Sequence, residues 1–342
     1  MDRQFPPEII QLIVEASLDP YDVFNLNGLE LNRRYKTLTK YSLLNSTWQG
    51  ASAPSLHKMV NIHTKEQASS FLDLLEKKGG IIGGIRDLSI SVYGGDRSDI
   101  ARILRSATGV ANVSIDYGMV SVDDLAHLQQ VRRLELYTLE LVGSAASSSL
   151  SLPSLRRLVL FSVLISPSAA HLLTPSFLPQ LRQLGLYAVE DSVDALIPQL
   201  EAISFGPTND RSLSAATSLQ LLLLPYEPIP RLRILSDLPT LPPFLAFNCE
   251  NQVPGPLAQR LHSTLTQLLT STKTGLRVIL LLAQNWEDEG EGDELDGLIE
   301  QGKRQRIRVV QENFLGSNFN TAIRAMERIL AEEKRAAETG RK

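Results

Sequence analysis

The stretches LPSLRRLVLF (152–161) and LPQLRQLGLY (178–187) decide the fold that the sequence predicts. Both read L-P-x-L-x-x-L-x-L and end in an aromatic residue. The L-x-L part is a short strand whose alternate side chains enter a core, and the leucine before it closes the turn beneath. A unit of this kind cannot bury its apolar side alone, so neighbouring units must stack.

The L-x-x-L-x-L frame recurs along the chain with conservative replacements, at intervals of about 19 to 26 residues, which is the range of leucine-rich repeats. The recurrence predicts an α/β solenoid with a parallel sheet. One frame, Leu241/Phe244/Ala246, is unusual because Pro242 and Pro243 lie inside it. The other frames are Ile85/Leu88/Ile90, Val110/Val113/Ile115, Val131/Leu134/Leu136, Leu155/Leu158/Leu160, Leu181/Leu184/Leu186, Leu200/Ile203/Phe205, Leu219/Leu222/Leu224 and Leu276/Ile279/Leu281.

The repeats depart from the family pattern after each strand. Leucine-rich repeats usually place Asn or Cys three residues past the last strand leucine, where the side chain hydrogen-bonds the turn. In this chain only Cys249, after the unusual frame, keeps that position. We therefore expect irregular repeats. The alternative is a doubly wound α/β sheet, although such a sheet does not require so constant a spacing of leucines.

Helical patterns lie between and after the predicted strands. Apolar residues at helical spacing predict helices at 98–107, 121–129 and 254–269. The stretch FNTAIRAMERILAEEKRAAE (319–338) predicts a closing helix that covers the last repeat, as solenoids require. The acidic stretch EDEGEGDELD (287–296) is interpreted as a solvated, partly mobile insertion.

The chain opens with a helical pattern whose apolar surface is unusually wide. Residues 9–16 present an apolar arc of roughly 200°, whereas the stripe of an ordinary surface helix is about 100° wide. A second helix is predicted at 33–44, and the S-x-x-Q sequence at 46–49 predicts the start of a third. Three short helices make a thin core, so the wide arc calls for contact with another surface.

This opening segment resembles an F-box. The family pattern begins L-P-x-E-[IL]-[IL] and closes with a hydrophobic-polar-x-x-W stretch. Here FPPEII (5–10) stands for the opening, with Phe5 in place of the usual leucine, and LLNSTW (43–48) stands for the close. The predicted organisation is an F-box-like helical domain at 1–62, a leucine-rich-repeat domain at 63–317, and a C-terminal capping helix with a frayed tail at 318–342.

The resemblance implies a role and a partner. F-box proteins bind the Skp-type adaptor of a cullin–RING ubiquitin ligase, and the domain that follows captures a protein substrate. This predicts a non-catalytic recognition subunit, and the alternative is a leucine-rich-repeat scaffold without a ligase role. Ile10 is assigned to the adaptor because it lies on the arc away from Ile9 and Leu12. The positions carried over as adaptor-facing or helix-fixing are Pro6, Ile9, Ile10, Ile13, Leu38, Leu44 and Trp48.

The substrate is expected on the sheet face opposite the leucines. In an x-L-x-L-x strand, the intervening residues point away from the core, and here they form a row of aromatic and arginine side chains, which are enriched at binding hot spots. Two alternatives are that the C-terminal segment folds over this row, or that the aromatic residues only stack on one another. The predicted substrate-binding residues are Arg133, Tyr137, Arg157, Phe161 and Tyr187.

The sequence carries no motif for a cofactor or a metal. The net charge of −4 gives no whole-protein attraction to nucleic acid or to an anionic membrane, so neither is expected as a partner. A single cysteine suits a reducing compartment, and we expect a cytoplasmic or nuclear location. An enzyme would need a pocket of converging polar groups with shifted pKa values. Metal-ligand spacing is absent around His57, His63, His127, His171 and His262.

Overall fold

The fold is described from a computed structural model of the chain. Its described residues form eleven strands, and the chain divides into two compact units. Unit 1 comprises Met1–Leu155 and Ser166–Leu172, and unit 2 comprises Arg156–Ile165 and Leu173–Lys342. The domain boundaries expected at residues 62 and 317 stay predictions. The structure describes residues 5–17, 36–77, 85–91, 97–143, 152–166, 169, 178–187, 216–225, 235, 240–249, 275–283, 292–313 and 318–339.

Unit 1 joins a small group of helices to a parallel sheet. The first helices are α1 (Pro7–Ser17), α2 (36–42) and α3 (Ser46–His57). Four parallel strands follow and pair in chain order. They are β1 (Met59–Ile62), β2 (Asp87–Ser91), β3 (Asn112–Ser121) and β4 (Arg133–Val142). Helix α4 (Lys65–Lys77) lies against β1, and α5 (Arg97–Ser106) and the short α6 (Val122–Leu125) lie against β3.

Unit 2 is a second α/β arrangement in which strands also pair in parallel and in chain order. The paired strands are β5 (Arg157–Phe161), β7 (Gln183–Tyr187), β8 (Leu221–Pro225), β9 (Phe244–Asn248), β10 (Val278–Ala283) and β11 (Arg308–Asn313). A two-residue strand, β6, covers Leu164–Ile165, and the helices are α7 (Gly292–Arg304) and α8 (Asn318–Thr339). A doubly wound sheet reverses its strand order at a switch point, and neither unit does so among its described strands.

The leucine frames set the register of the strands. Leu158 pairs in parallel with Leu184, and their side chains are 4% and 0% exposed. This confirms the predicted pairing of the two opening stretches. The strands β7 and β8 pair directly with each other, and the frame predicted at 200–205 falls between them in the sequence. Residues 200–205 themselves lie outside the described residues, as does the helix predicted at 254–269.

The unusual frame was read one residue out of phase. Leu222 pairs with Leu245, and Leu245 pairs with Ile279, so β9 follows the frame 245/247 and not 244/246. Phe244 and Ala246 therefore point to the opposite face from the strand leucines. With this correction Cys249 no longer occupies the turn position of a leucine-rich repeat. The prolines at 242 and 243 concealed the true phase, because they interrupt the spacing just before the strand.

A left-handed backbone position recurs at one point in the repeats. Tyr117, Thr138 and Ser162 have φ angles of 69°, 48° and 49°. Each lies two residues past the last core residue of its frame, at 115, 136 and 160. Few side chains adopt this region of φ freely, so its repetition indicates that the chain bends in the same way just after the core residues of these three frames. The L-x-L frame thus extends into a shared turn geometry that lacks the usual Asn or Cys.

Several predicted helices are present and two were missed. Helices α5, α6 and α8 match the stretches predicted at 98–107, 121–129 and 319–338. The third helix starts at Ser46, but Asn45 supplies its cap, because Asn45 Oδ1 accepts from the backbone of Thr47 and Trp48 at 3.0 and 3.1 Å. The missed helices are α4 and α7, and α7 begins at Gly292, inside the acidic stretch interpreted as an insertion.

Helix α8 lies across a sheet face and does not cap only the last strand. It contacts β8, β9, β10 and β11. Its buried residues Phe319, Ile323 and Ile329 join one core cluster with intervening strand residues, including Leu223 and Leu280. All residues of β9 are buried as a result. A strand that is covered on both faces reads as continuous apolar sequence, as LLLLP (221–225) and VILLLA (278–283) do.

Candidate functional site

The N-terminal helices share a small core of their own. Ile10 and Val14 of α1 and Leu38 of α2 are 2%, 0% and 0% exposed and form one cluster. Trp48 and Tyr41 pack against this cluster, with ring centroids 5.2 Å apart and planes tilted by 40°. Such an arrangement fixes the three helices against one another.

The outer side of these helices remains apolar and exposed. Ile9 and Leu12 are 42% and 59% exposed, and Phe5 just before the helix is 58% exposed. Ile9 and Leu12 are three residues apart on α1, which places them along one stripe of the helix, and Phe5 lies two residues before the helix begins. Leu43 and Leu44, in the turn after α2, are exposed as well. We call these five residues the apolar stripe and turn.

The positions carried over for the adaptor fall into three groups by exposure. Pro6, Ile9 and Leu44 are exposed, and Ile13 and Trp48 are half-buried. Ile10 and Leu38 are buried in the helical core, so their side chains cannot contact a partner. The assignment of Ile10 to the partner is therefore wrong, because α1 turns Ile10 inward and Ile9 and Leu12 outward. The sequence showed a wide arc but could not show which half faces the other helices.

Two residues of the predicted substrate row in unit 2, Arg157 and Phe161, are half-buried. Arg157 Nε donates to Gln183 Oε1 at 2.5 Å, and its guanidinium lies 5.7 Å from the centroid of the Phe319 ring on α8. Phe161 packs against the cluster that contains Phe319. At these two positions the expectation of an open row is wrong, since Phe319 near the start of α8 lies against them. Tyr187 pairs with Phe161 along the sheet, but its side chain lies outside the described residues.

The corresponding face of unit 1 is polar. Arg133 and Glu135 of β4 are buried, with Arg133 Nε donating to Glu135 Oε1 at 2.7 Å. The hydroxyl of Tyr137 donates to Glu135 Oε2 at 3.0 Å. The predicted residues Arg133 and Tyr137 thus both donate to the carboxylate of Glu135, and the three side chains form an internal network. A buried ion pair of this kind needs all of its members to offset the desolvation of the charges.

The polar face continues onto the neighbouring strands. Asn112 Nδ2 of β3 donates to Asp87 Oδ1 of β2 at 2.5 Å, and both side chains are buried. Burial raises the pKa of Asp116, and hydrogen bonds from Ser91 and the Tyr117 backbone offset part of that rise. The polar intervening residues of β2 and β3 therefore bond one another across these two strands, and those of β4 bond one another within the strand, in contrast to the apolar intervening residues of unit 2.

A groove at the edge of unit 1 was missed by the sequence reasoning. A cavity of about 880 Å³ lies between α2, β1 and α4. The sequence signal that could have revealed α4, one wall of the groove, was its capping pattern. Gln67 N donates to Thr64 Oγ1 at 3.2 Å, and Gln67 Oε1 accepts from His63 N at 2.7 Å. The apolar spacing of Ala68, Leu72 and Leu75 completes that pattern.

Metal and thiol chemistry find little support in the described part of the chain. No group of three His, Cys, Asp or Glu residues there could hold a metal ion. Burial raises the pKa of the Cys249 thiol to about 12, so the thiolate is scarce near neutral pH. No helix in the described ranges is long and apolar enough to cross a membrane.

No protein-family model matches the sequence, and a search of curated proteins finds no match either.

Proposed function

We propose that this chain is the substrate-recognition subunit of a cullin–RING ubiquitin ligase. In this proposal an F-box-like helical module binds a Skp-type adaptor, and an irregular leucine-rich-repeat solenoid captures a protein substrate without catalysing a reaction itself. The observation that carries the proposal is the exposed apolar side of the helical module. Ile9 and Leu12 stay largely exposed while Ile10 and Val14 of the same helix are buried.

The exposed side is costly to leave in water. Burying a leucine or isoleucine side chain contributes about 1.5–3 kcal/mol, so the apolar stripe and turn could supply much of the free energy of a protein–protein contact. Exposed apolar residues that lie together mark an interaction site more often than single ones do. The module's own core is small, so apolar side chains on its outer side remain available for contact with a partner.

The repeat part of the proposal is supported by topology and by local backbone geometry. Strands of each unit pair in chain order and in register with the leucine frame. The left-handed residues Tyr117, Thr138 and Ser162 recur at one frame position. Both properties are those of stacked units that contact only their neighbours.

Co-purification with the adaptor tests the first half of the proposal. The full chain is co-expressed with a Skp-type adaptor, together with the double variant Ile9→Glu/Leu12→Glu. We expect the wild type to retain the adaptor and the double variant to lose it, because unpaired carboxylates would be buried at the contact. Both positions are exposed in the free chain, so the circular dichroism spectrum should not change.

A matched control separates surface charge from loss of a specific contact. Leu164 in unit 2 is 56% exposed, close to the 59% of Leu12, so Leu164→Glu should retain the adaptor. Ile10→Glu is unsuitable because it would place a carboxylate in the helical core. Equal recovery of the adaptor with the wild type and the double variant would contradict the proposed contact.

The second candidate is a leucine-rich-repeat scaffold for protein interactions without a ligase role. The covered face of unit 2 favours it in one respect, since α8 packs where a substrate was expected. A wild-type chain that never retains the adaptor would support this candidate.

A further inference from the structure

The groove between α2, β1 and α4 combines apolar and basic side chains in a way that the proposed adaptor contact does not use. Phe71 is half-buried and Leu74 is 43% exposed on α4, and both line the groove beside β1. Its volume of about 880 Å³ lies within the range of ligand sites. The groove can therefore hold several side chains of a bound chain.

The charges that line the groove are arranged by element. Lys36 and Lys40 project from α2, and both are exposed. They are spaced at i and i+4, so their positive charges are neighbours and repel each other. Neither forms an ion pair with another residue that the structure describes. A carboxylate placed between them would relieve that repulsion.

The opposite helix carries Glu66, the only acidic side chain among the described residues that line the groove. The hydroxyl of Thr64 holds the pKa of Glu66 below its usual range, so Glu66 stays ionised. Glu66 disfavours a second carboxylate on the α4 side of the groove. His63 also lines the groove, and its buried Nε2 has no hydrogen-bond partner among the residues that the structure describes.

The strand along the groove indicates the form of the occupant. β1 is the first strand of the order, and β2 is its only neighbour among the described strands. A segment in extended conformation lies naturally beside an edge strand and places alternate side chains on one side. β1 is four residues long, which corresponds to about 13 Å of extended chain.

We infer that this groove binds an extended peptide of another protein that carries one acidic residue among apolar ones. The carboxylate lies between Lys36 and Lys40, and an apolar side chain packs on Phe71 and Leu74. The inference deepens the proposed function by naming a class of substrate segment. It is tested without adaptor, so its failure is distinct from failure of the adaptor contact.

The test uses peptide arrays and the purified full-length chain. One array holds nonapeptides with a central Asp, flanked at alternate positions by Leu, Ile or Phe, and a matched array has Lys at the centre. We expect at least fivefold stronger binding to the Asp array. Equal binding to both arrays, or binding to neither, would overturn the inference.

Variants place the binding in the groove. Lys36→Glu/Lys40→Glu should reverse the preference between the two arrays, and Lys36→Gln/Lys40→Gln should abolish it. Lys77→Glu is the matched control, since Lys77 is an exposed lysine of α4 that does not line the groove. If the charge reversal leaves the Asp preference intact, the peptide binds elsewhere and the assignment is wrong.

A second pair of variants tests the apolar contact. Leu74→Ser should weaken binding to the Asp array at least threefold. Leu330 on α8 has nearly the same exposure, 41% against 43%, so Leu330→Ser should bind as the wild type does. Equal effects of the two serine variants would show that general surface hydrophobicity, and not the groove, retains the peptides.

Discussion

Leu158 and Leu184 occupy paired positions in neighbouring parallel strands of unit 2, and both side chains are buried. Each belongs to the frame that the sequence repeats, so each reports on whether that frame carries the stability of the fold. When a buried leucine in a close-packed interior is replaced by alanine, it leaves a cavity that the surrounding side chains fill only in part.

The first prediction concerns Leu184, which is 0% exposed. Leu184→Ala should lower the free energy of unfolding by about 2–5 kcal/mol, because both the apolar transfer and the cavity contribute. Urea denaturation followed by circular dichroism measures the loss. The exposed Leu164 is the control, and Leu164→Ala should change stability by less than about 0.5 kcal/mol. Similar losses for the two variants would contradict the assigned burial.

The second prediction concerns the ion pair of Arg133 and Glu135. Glu135→Ala should cost about 3 kcal/mol or more, because it leaves the buried guanidinium and the Tyr137 hydroxyl without their shared carboxylate. The double variant Arg133→Met/Glu135→Leu should recover part of that loss, since it removes both charges. Thermal unfolding of the three proteins measures the difference. A double variant less stable than Glu135→Ala would show that the pair contributes more than mutual neutralisation.

At the scale of elements, α8 decides the character of unit 2. It covers the apolar intervening residues of β8 to β10, and it brings Phe319 against β7. Exposed ion pairs in its C-terminal half, such as Arg308 with Glu332 at 2.9 Å, add little because solvent screens them. The helix is therefore held mainly by its apolar face.

The third prediction tests how closely α8 approaches the sheet. A Cβ atom added at Gly185 would lie 2.6 and 2.8 Å from two carbons of the Phe319 ring, so Gly185→Ala should destabilise the protein by about 1–3 kcal/mol. Gly297→Ala on α7 is the control, because nothing lies within 4 Å of its added Cβ. That variant should be neutral or stabilising. Denaturation curves distinguish the two.

A double change checks the cause of the Gly185 effect. Phe319→Leu removes ring atoms that the new methyl group would meet, so it should reduce the additional loss from Gly185→Ala. If the losses in free energy of unfolding from the two changes simply add, the strain at Gly185 does not come from the contact with Phe319.

At the scale of the whole molecule, the two proposed surfaces are distinct sets of residues. The apolar stripe and turn would serve the adaptor, and the groove along β1 would serve a peptide. Both lie in unit 1, yet they share no residue. This separation makes the two proposed activities independently removable.

The fourth prediction is that adaptor binding and peptide binding can each be removed without loss of the other. Ile9→Glu/Leu12→Glu should lose the adaptor and keep binding to the Asp peptides, whereas Lys36→Glu/Lys40→Glu should do the reverse. Adaptor pull-down and the peptide arrays are run on the same two preparations. Joint loss of both activities in either variant would show that the surfaces are coupled.

The sequence by itself determined the strands that follow the leucine frame, their parallel register and most of the described helices, whereas β1, β6 and β11 lie outside every frame. Leu158 and Leu184 were readable because a repeated L-x-x-L-x-L frame is a local pattern, and a strand needs only its own alternation to be recognised. Helices α5 and α8 were readable from their spacing. The frame of β9 was misread because two prolines shifted its apparent phase, and α4 was missed although its capping residues were present.

Only the tertiary structure decided which apolar surfaces are covered. The apolar arc of α1 carries no mark in the sequence that separates an inner half from an outer half. Ile10 and Val14 are on the inner half only because α2 and α3 pack there. The intervening residues of unit 2 are covered because α8, far along the chain, lies on them. The groove likewise exists only where α2, β1 and α4 meet. Periodicity reports a segment's own geometry, whereas burial depends on distant segments that no local pattern contains.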